Sequence, residues 1–250
     1  MIHYKTPAEI ETMKQGGKIL RQVVAQLDEV IAAGKSTLEI DAMAEKLIRE
    51  AGAEPSFQKV EGYSWTICAP INEQAVHTPP SDRVLQAGDV FTMDIGVFYG
   101  GFHTDYANTY FIGDTAPPAV DTFLKTGKET LARALELVKP GEYMGTLSGY
   151  IQHEIESAGY YILKDLTGHG VGRELHEDPY VLNYLEKPVH KTLKFKEGMT
   201  LAVEIIYSMG SEDIAYEKAN AWSIRTKDKS LSACFEHTIA ISDKNAFILT

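Results

Sequence analysis

Five residues of this 250-residue sequence carry metal-binding donors in positions where an unpartnered donor is costly. Asp94 and Asp105 sit in two strand-like runs within residues 90–110, separated by Gly100-Gly101, a pattern that reads as a β-hairpin. A Tyr99-Gly100 loop makes the two aspartates direct cross-strand partners. A Gly100-Gly101 loop puts Asp94 opposite Ala107, with Asp105 its diagonal neighbour. Both registers place the carboxylates on one face, roughly 5–8 Å apart at Cβ. Met93, Ile95, Phe102 and Tyr106 flank them with bulk, so a cation that offsets the repulsion explains the pair better than a solvated face does. His169 lies among three glycines in Gly168-His-Gly-Val-Gly172, which leave the imidazole approachable, and His176 follows. No Lys-Ser/Thr follows those glycines, so they do not form a phosphate loop. Glu204 and Glu236 each interrupt an apolar run, where a lone carboxylate is expensive unless paired or bound to a cation. Four carboxylates and one imidazole suit divalent Co, Mn, Fe or Zn. They exceed the needs of one ion, and two ions roughly 3.5–4 Å apart form a hydrolytic centre.

These donors need a scaffold, and the sequence supplies one twice. From Pro7 to about Ala33, Ile10, Met13, Leu20, Val24, Leu27 and Ile31 recur at helical spacing behind a Thr6-Pro7 start. Leu38, Ile40, Met43, Ala44, Leu47 and Ile48 repeat the pattern up to Gly52. A third helix is expected from Pro118 to Pro140-Gly141, and a fourth closes at Ala158-Gly159. Gly34 to Gly141 and Gly52 to Gly159 share an offset of 107. Gly88 to Gly198, each before an apolar strand, is offset by 110. The repeat predicts a duplicated helix-helix-strand unit, hence an α+β fold with one antiparallel sheet covered by helices. One domain over residues 1–250 is expected, its halves spanning approximately 7–112 and 118–241.

Composition narrows the function. Thirty-five acidic against 24 basic residues give a net charge of −11, which argues against a nucleic-acid partner. Residues 1–15 lack the apolar core of a secretory signal, and no run of 18 apolar residues occurs, so neither export nor a membrane span is expected. Two cysteines, Cys68 and Cys234, lie far apart without CxxC spacing and read as reduced thiols. A cytoplasmic protein is the resulting expectation; a monomer is expected too, although no residue pattern reads out the oligomeric state.

The motifs together resemble the methionine aminopeptidases, in the pita-bread-fold metallopeptidases that also include prolidases and aminopeptidase P. The resemblance rests on Asp94 and Asp105, on Gly168-His-Gly-Val-Gly-Arg with His176-Glu-Asp-Pro, on Glu204, and on residues 226–238 around Glu236. It implies two pseudo-symmetric halves around a curved antiparallel sheet and removal of N-terminal methionine from peptides and nascent proteins by two-metal hydrolysis. By similarity, Asp105, His169, Glu204 and Glu236 would hold one ion, and Asp94, Asp105 and Glu236 the other. Glu204 would also shuttle a proton, while His77 and His176 would contact the substrate near the scissile amide. The side-chain pocket would include Phe57, Tyr63, Cys68, Leu175 and Trp222.

Three departures qualify that resemblance. His77-Thr-Pro-Pro replaces the usual His-Gly-Ile-Pro, Gly96 replaces a threonine, and Ile205 replaces a proline. Loss of a hydroxyl at Gly96 predicts weaker support for the second metal. Asp-x-Gly is closer to prolidases, so an X-Pro aminopeptidase or dipeptidase is the alternative enzyme. A non-catalytic binding protein on the same fold is the alternative outside enzymes.

Overall fold

A computed structural model describes residues 1–218 and 220–250. Helices α1 (Pro7–Asp28) and α2 (Thr37–Glu50) precede the short strands β1 (Glu54–Pro55), β2 (Ile67–Cys68) and β3 (Gln74–Val76), then β4 (Val90–Tyr99) and β5 (Phe102–Phe111). The chain then repeats: α3 (Pro118–Glu136), α4 (Met144–Ser157), β6 (Tyr161–Ile162), β7 (Gly168–Gly170), β8 (Glu177–Val181) and β9 (Thr200–Ser208). It closes with β10 (Ile214–Tyr216), β11 (Ile224–Thr226), β12 (Ser232–Ile241) and β13 (Ala246–Ile248). The main antiparallel sheet runs β1-β4-β5-β12-β9-β7-β8, with β2, β6 and β13 at its margins, and β10-β11-β3 form a smaller sheet.

Thr6 and Ser36 start the first two helices with reciprocal capping boxes to Glu9 and Glu39. The apolar pattern read to about Ala33 outlasts α1, which ends at Asp28. Val30 and Ile31 continue to pack on the core after the helix has stopped. The Gly34 N–H bonds the Leu85 carbonyl at 2.9 Å and Leu85 N–H bonds Lys35 at 2.8 Å, drawing the chain toward another segment. Gly141, Phe195 and Glu142 make the same pair of bonds in the second half, both at 2.9 Å. The offset glycines are thus equivalent points of a duplicated frame. The third helix likewise stops short of Pro140, at Glu136.

Strand alternation decides which side chains reach the site. Phe91, Met93, Ile95 and Val97 of β4 pack under Leu20, Leu27, Ile40 and Ile48. Leu201, Val203, Ile205 and Tyr207 of β9, with Phe235 and Ile239 of β12, pack under Phe123, Leu131, Leu147 and Ile151. Burying each such side chain contributes roughly 1.5–3 kcal/mol. Because neighbours along a strand point to opposite faces, Asp94, Glu204 and Glu236 must project from the helix-free face. That face is covered by Ala75, Val76, Leu163, Leu166 and Ile224, which pack with Ala107, Ile206 and Cys234.

Candidate metal centre and its cavity

The hairpin adopts the Gly100-Gly101 register: Asp94 pairs with Ala107 and Asp105 with Gly96. Both loop glycines have positive φ, 58° and 89°, which a two-residue hairpin turn of this hand requires. Across the seam between the halves, Glu236 faces Ala107 on one side and Glu204 on the other. His169 on β7 pairs with Ala202 of β9. Five donors from five strands therefore converge. His169 Nε2 lies 4.0 Å from an Asp105 oxygen and 3.9 Å from a Glu204 oxygen. Donor atoms of Asp105, His169 and Glu236 all fall within 4.8 Å of one another.

The electrostatics show what the cluster lacks. Burial pushes Asp105 up to about 7, and burial with the Asp105 charge pushes Glu204 up to about 8. Asp94 and Glu236 are driven well above the carboxylate range, first by burial and then by neighbouring carboxylates. Asp94 Oδ1 and Glu236 Oε1 are buried with no hydrogen-bond partner. His169 donates its Nδ1–H to the Gly170 carbonyl at 2.9 Å, so its bare Nε2 faces the carboxylates. Burial holds this imidazole neutral, near 3. Orphaned carboxylate oxygens around an imidazole lone pair fixed by its own backbone fit divalent cations.

Above the donors lies one cavity. Asp94, Asp105, His169, Glu204 and Glu236 line it together with His77, His176, Phe57, Tyr63, Cys68, Leu175 and Trp222, so every residue singled out from the sequence meets there. Val60 and Val76 line it too and were not read from the sequence, since single valines beside aromatic or histidine motifs carry no distinguishing pattern. His77 and His176 are exposed at the mouth, His77 with a positive φ of 57°. The His176 ring meets that of His169 edge-on, with centroids 4.5 Å apart. Tyr63 packs edge-on against Trp222 at 5.2 Å and donates to the Ile67 carbonyl at 2.8 Å. Cys68 pairs with Asp94 across β2 and β4, which joins the pocket wall to the carboxylate cluster. Both cysteines are free and buried.

Gly96 has a local cause. A Cβ there would lie 2.6 Å from the Ser56 Cβ and 2.9 Å from the Thr104 carbonyl oxygen. The space that a threonine would use is filled by Ser56, a hydroxyl residue from another loop.

A model of metallopeptidase family M24 matches residues 11–243. The chain belongs to metallopeptidase family M24. Methionine aminopeptidase 1 of Bacillus subtilis is 38% identical over 250 residues, spanning 100% of this chain and 99% of that protein. The Escherichia coli methionine aminopeptidase is 33% identical, covering 100% and 94%. Among solved structures, methionine aminopeptidase from Thermotoga maritima superposes with a TM-score of 0.95 at 35% identity, covering 100% and 99%. Prolidase from Pyrococcus furiosus superposes at 0.78 and 25% identity, covering 99% of this chain and 65% of that one. The α+β architecture is thus the pita-bread fold shared by these M24 proteins. Membership in a metallopeptidase family agrees with a buried Asp/His/Glu cluster compatible with divalent metal binding. Among the described residues, no helix is long and apolar enough to cross a membrane.

Proposed function

We propose that this chain removes N-terminal methionine from peptides and nascent proteins by hydrolysis, with two divalent ions of Co, Mn, Fe or Zn as cofactors. One observation carries the reading: the five donors and an aromatic, aliphatic and sulfur-bearing wall line the same cavity. Such a wall suits a thioether side chain. Full-length similarity to methionine aminopeptidases, against partial coverage of prolidase, favours this substrate over X-Pro peptides. Retention of all five donors disfavours a non-catalytic binding module.

Asp105, His169, Glu204 and Glu236 would hold one ion, and Asp94, Asp105 and Glu236 the other. Bound there, divalent cations supply Lewis acidity and an acidified water at neutral pH. Glu204, whose proton affinity burial already raises, accepts the proton of the attacking water and delivers it to the departing amine. His176 at the mouth donates a hydrogen bond to the developing oxyanion. His77, which lines the same cavity, hydrogen-bonds the substrate near the scissile amide. Phe57, Tyr63, Cys68, Leu175 and Trp222 enclose the first side chain and exclude water from it.

Donors come from both halves, which supports one catalytic unit over residues 1–250. No second copy is needed to complete the cavity, which supports a monomer. Action on nascent chains implies a cytoplasmic location, and the acidic excess disfavours a nucleic-acid partner. A peptide panel with defined metals tests the substrate. Free methionine should appear from Met-Ala-Ser and little product from Ala-Pro peptides. Cleavage of Ala-Pro peptides alone would reassign the enzyme, and an inert protein that binds no metal would favour the binding module.

A further inference from the structure

The pocket walls belong to different halves of the chain, and one residue outside the cavity bonds to the supports of both, through its ring on one side and its backbone N–H on the other. His103 lies two residues before Asp105 on the same face of β5 and is 4% exposed. Its Nδ1 is 2.6 Å from the Oγ of Ser56, which is fully buried. Its backbone N–H donates to the Gly172 carbonyl at 2.7 Å. Ser56 starts the short 3-10 turn Phe57–Lys59, which bears Phe57, and Gly172 begins the loop that bears Leu175. Phe57 and Leu175 belong to one buried cluster with Tyr63 and Cys68.

The rest of the contact set keeps this arrangement from drifting. Phe98, the cross-strand partner of His103, packs on its ring with centroids 4.7 Å apart, and Lys59 Nζ lies 4.7 Å above the Phe98 ring. Ser56 N–H donates to the Gly96 carbonyl at 3.0 Å, and the missing side chain at Gly96 gives Ser56 its room. On the other wall, Glu177 accepts the N–H groups of Arg173 and Glu174 at 2.6 and 3.1 Å and pairs with buried Lys5. The Leu175 wall is therefore held by backbone and by a buried ion pair. The Phe57 wall is held by the Ser56 N–H bond to Gly96 and the β1–β4 pairing, and the Ser56–His103 contact is the side-chain bond that ties it to the strand residue whose backbone holds Gly172.

We propose that His103 and Ser56 form a positioning pair that fixes the width of the side-chain pocket and thereby its selectivity for the first residue of the substrate. The proposal rests on the aminopeptidase reading for its substrate, though its structural part does not. It makes Gly96 a requirement of the pair: the strand gives up a side chain so that the serine can reach the histidine.

Ser56→Ala and His103→Ala test it, with His103→Asn as the conservative variant, since an Asn amide reaches the place of Nδ1. The kcat/KM for Met-Ala-Ser should fall on the order of 10-fold in both alanine variants, mainly through KM. The ratio of Met-Ala-Ser to Leu-Ala-Ser cleavage should fall several-fold in step, and His103→Asn should restore most of it. Metal stoichiometry should be unchanged. Amide hydrogen exchange should quicken across residues 56–60 while residues 172–176 stay protected, a readout independent of activity. Unchanged selectivity and exchange in Ser56→Ala, the mildest change, would overturn the pair even if His103→Ala failed to fold. A wild-type protein that leaves Met-Ala-Ser intact while the exchange pattern holds would sink the substrate reading and keep the pair as a wall support.

Discussion

The individual carboxylates define what this site needs. Asp105 is within reach of both His169 and Glu236, and Glu236 carries an orphaned oxygen, so Asp105→Asn and Glu236→Gln should abolish tight metal binding. Activity should drop on the order of 10³-fold or more, beyond the 10–100-fold typical of residues behind the ligands. Calorimetric titration with Mn on each variant checks this. Proton linkage gives a second expectation. In the metal-free fold Asp105 and Glu204 titrate near 7 and 8, whereas in the unfolded chain they return to ordinary values near 4. Between those limits these two carboxyls hold more protons in the folded state, so their contribution to stability is present at low pH and is lost as pH rises through 7 to 8, whereas the buried neutral imidazoles of His103 and His169 contribute stability that is lost on acidification below about 6.5. Melting temperatures of chelator-treated protein should therefore decline above about pH 6.5, where the imidazoles are neutral folded or unfolded, and added metal should stabilise more at the upper end. Gly96→Thr is expected to destabilise by about 1–3 kcal/mol through overpacking against Ser56, and a urea titration would read it. The five donors stood out in the sequence because acids in apolar runs and a glycine-flanked histidine are conspicuous, whereas the pocket side chains came only from the resemblance to the methionine aminopeptidases. His103 and Ser56 were not, because a lone histidine in a strand and a serine in a loop look alike whether or not they touch.

At the scale of elements, the helices and long strands announce themselves through periodicity, while the two-residue strands β1, β2 and β6 do not. A two-residue strand has no period to read. The two strands of the hairpin were evident, but their register was not, because both loops placed Asp94 and Asp105 on one face; Gly100 and Gly101 taking the turn together resolves it. The α1 terminus was misplaced because apolar side chains kept packing after the helix ended. Helix α2 supports the pocket from behind through one side chain. Asp41 of α2, with a carboxyl pushed up to about 6 by burial, accepts the N–H groups of Thr66 and Ile67 through a single oxygen at 2.8 and 3.0 Å. Those bonds hold the segment between Tyr63 and Cys68. Asp41→Ala should cost about 1–3 kcal/mol per orphaned N–H and raise KM. Asp41→Asn keeps an acceptor oxygen and should lose less, a contrast that thermal melts and steady-state kinetics can measure together.

Across the whole molecule, duplication explains why a metal site forms at the centre. Two equivalent helix-helix-strand halves join edge to edge at β5 and β12, where the register pairs only Glu236 with Ala107 and His237 with Tyr106. Asp94 and Asp105 come from one half; His169, Glu204 and Glu236 come from the other. Without cations the four acids gathered at the seam avoid mutual repulsion by holding protons, and bound cations would replace those protons and cross-link the halves. Metal should therefore stabilise the fold by about 2.7 kcal/mol when free metal is 100 times Kd, and raise the melting temperature of one cooperative transition. Differential scanning calorimetry with and without chelator would show this. The repeat itself was visible as matched glycines, and Gly34 and Gly141 do occupy equivalent hydrogen-bonded positions; the seam was not visible, since nothing in the sequence tells which strands meet edge to edge. The central claim is that these five donors form a metallopeptidase centre for N-terminal methionine. Its most direct test is release of free methionine from Met-Ala-Ser while metal-free protein is titrated with Mn or Co. The account predicts no release without metal and a rise that saturates at one to two equivalents per chain. Release that is indifferent to chelation, or none at any metal loading, would contradict it.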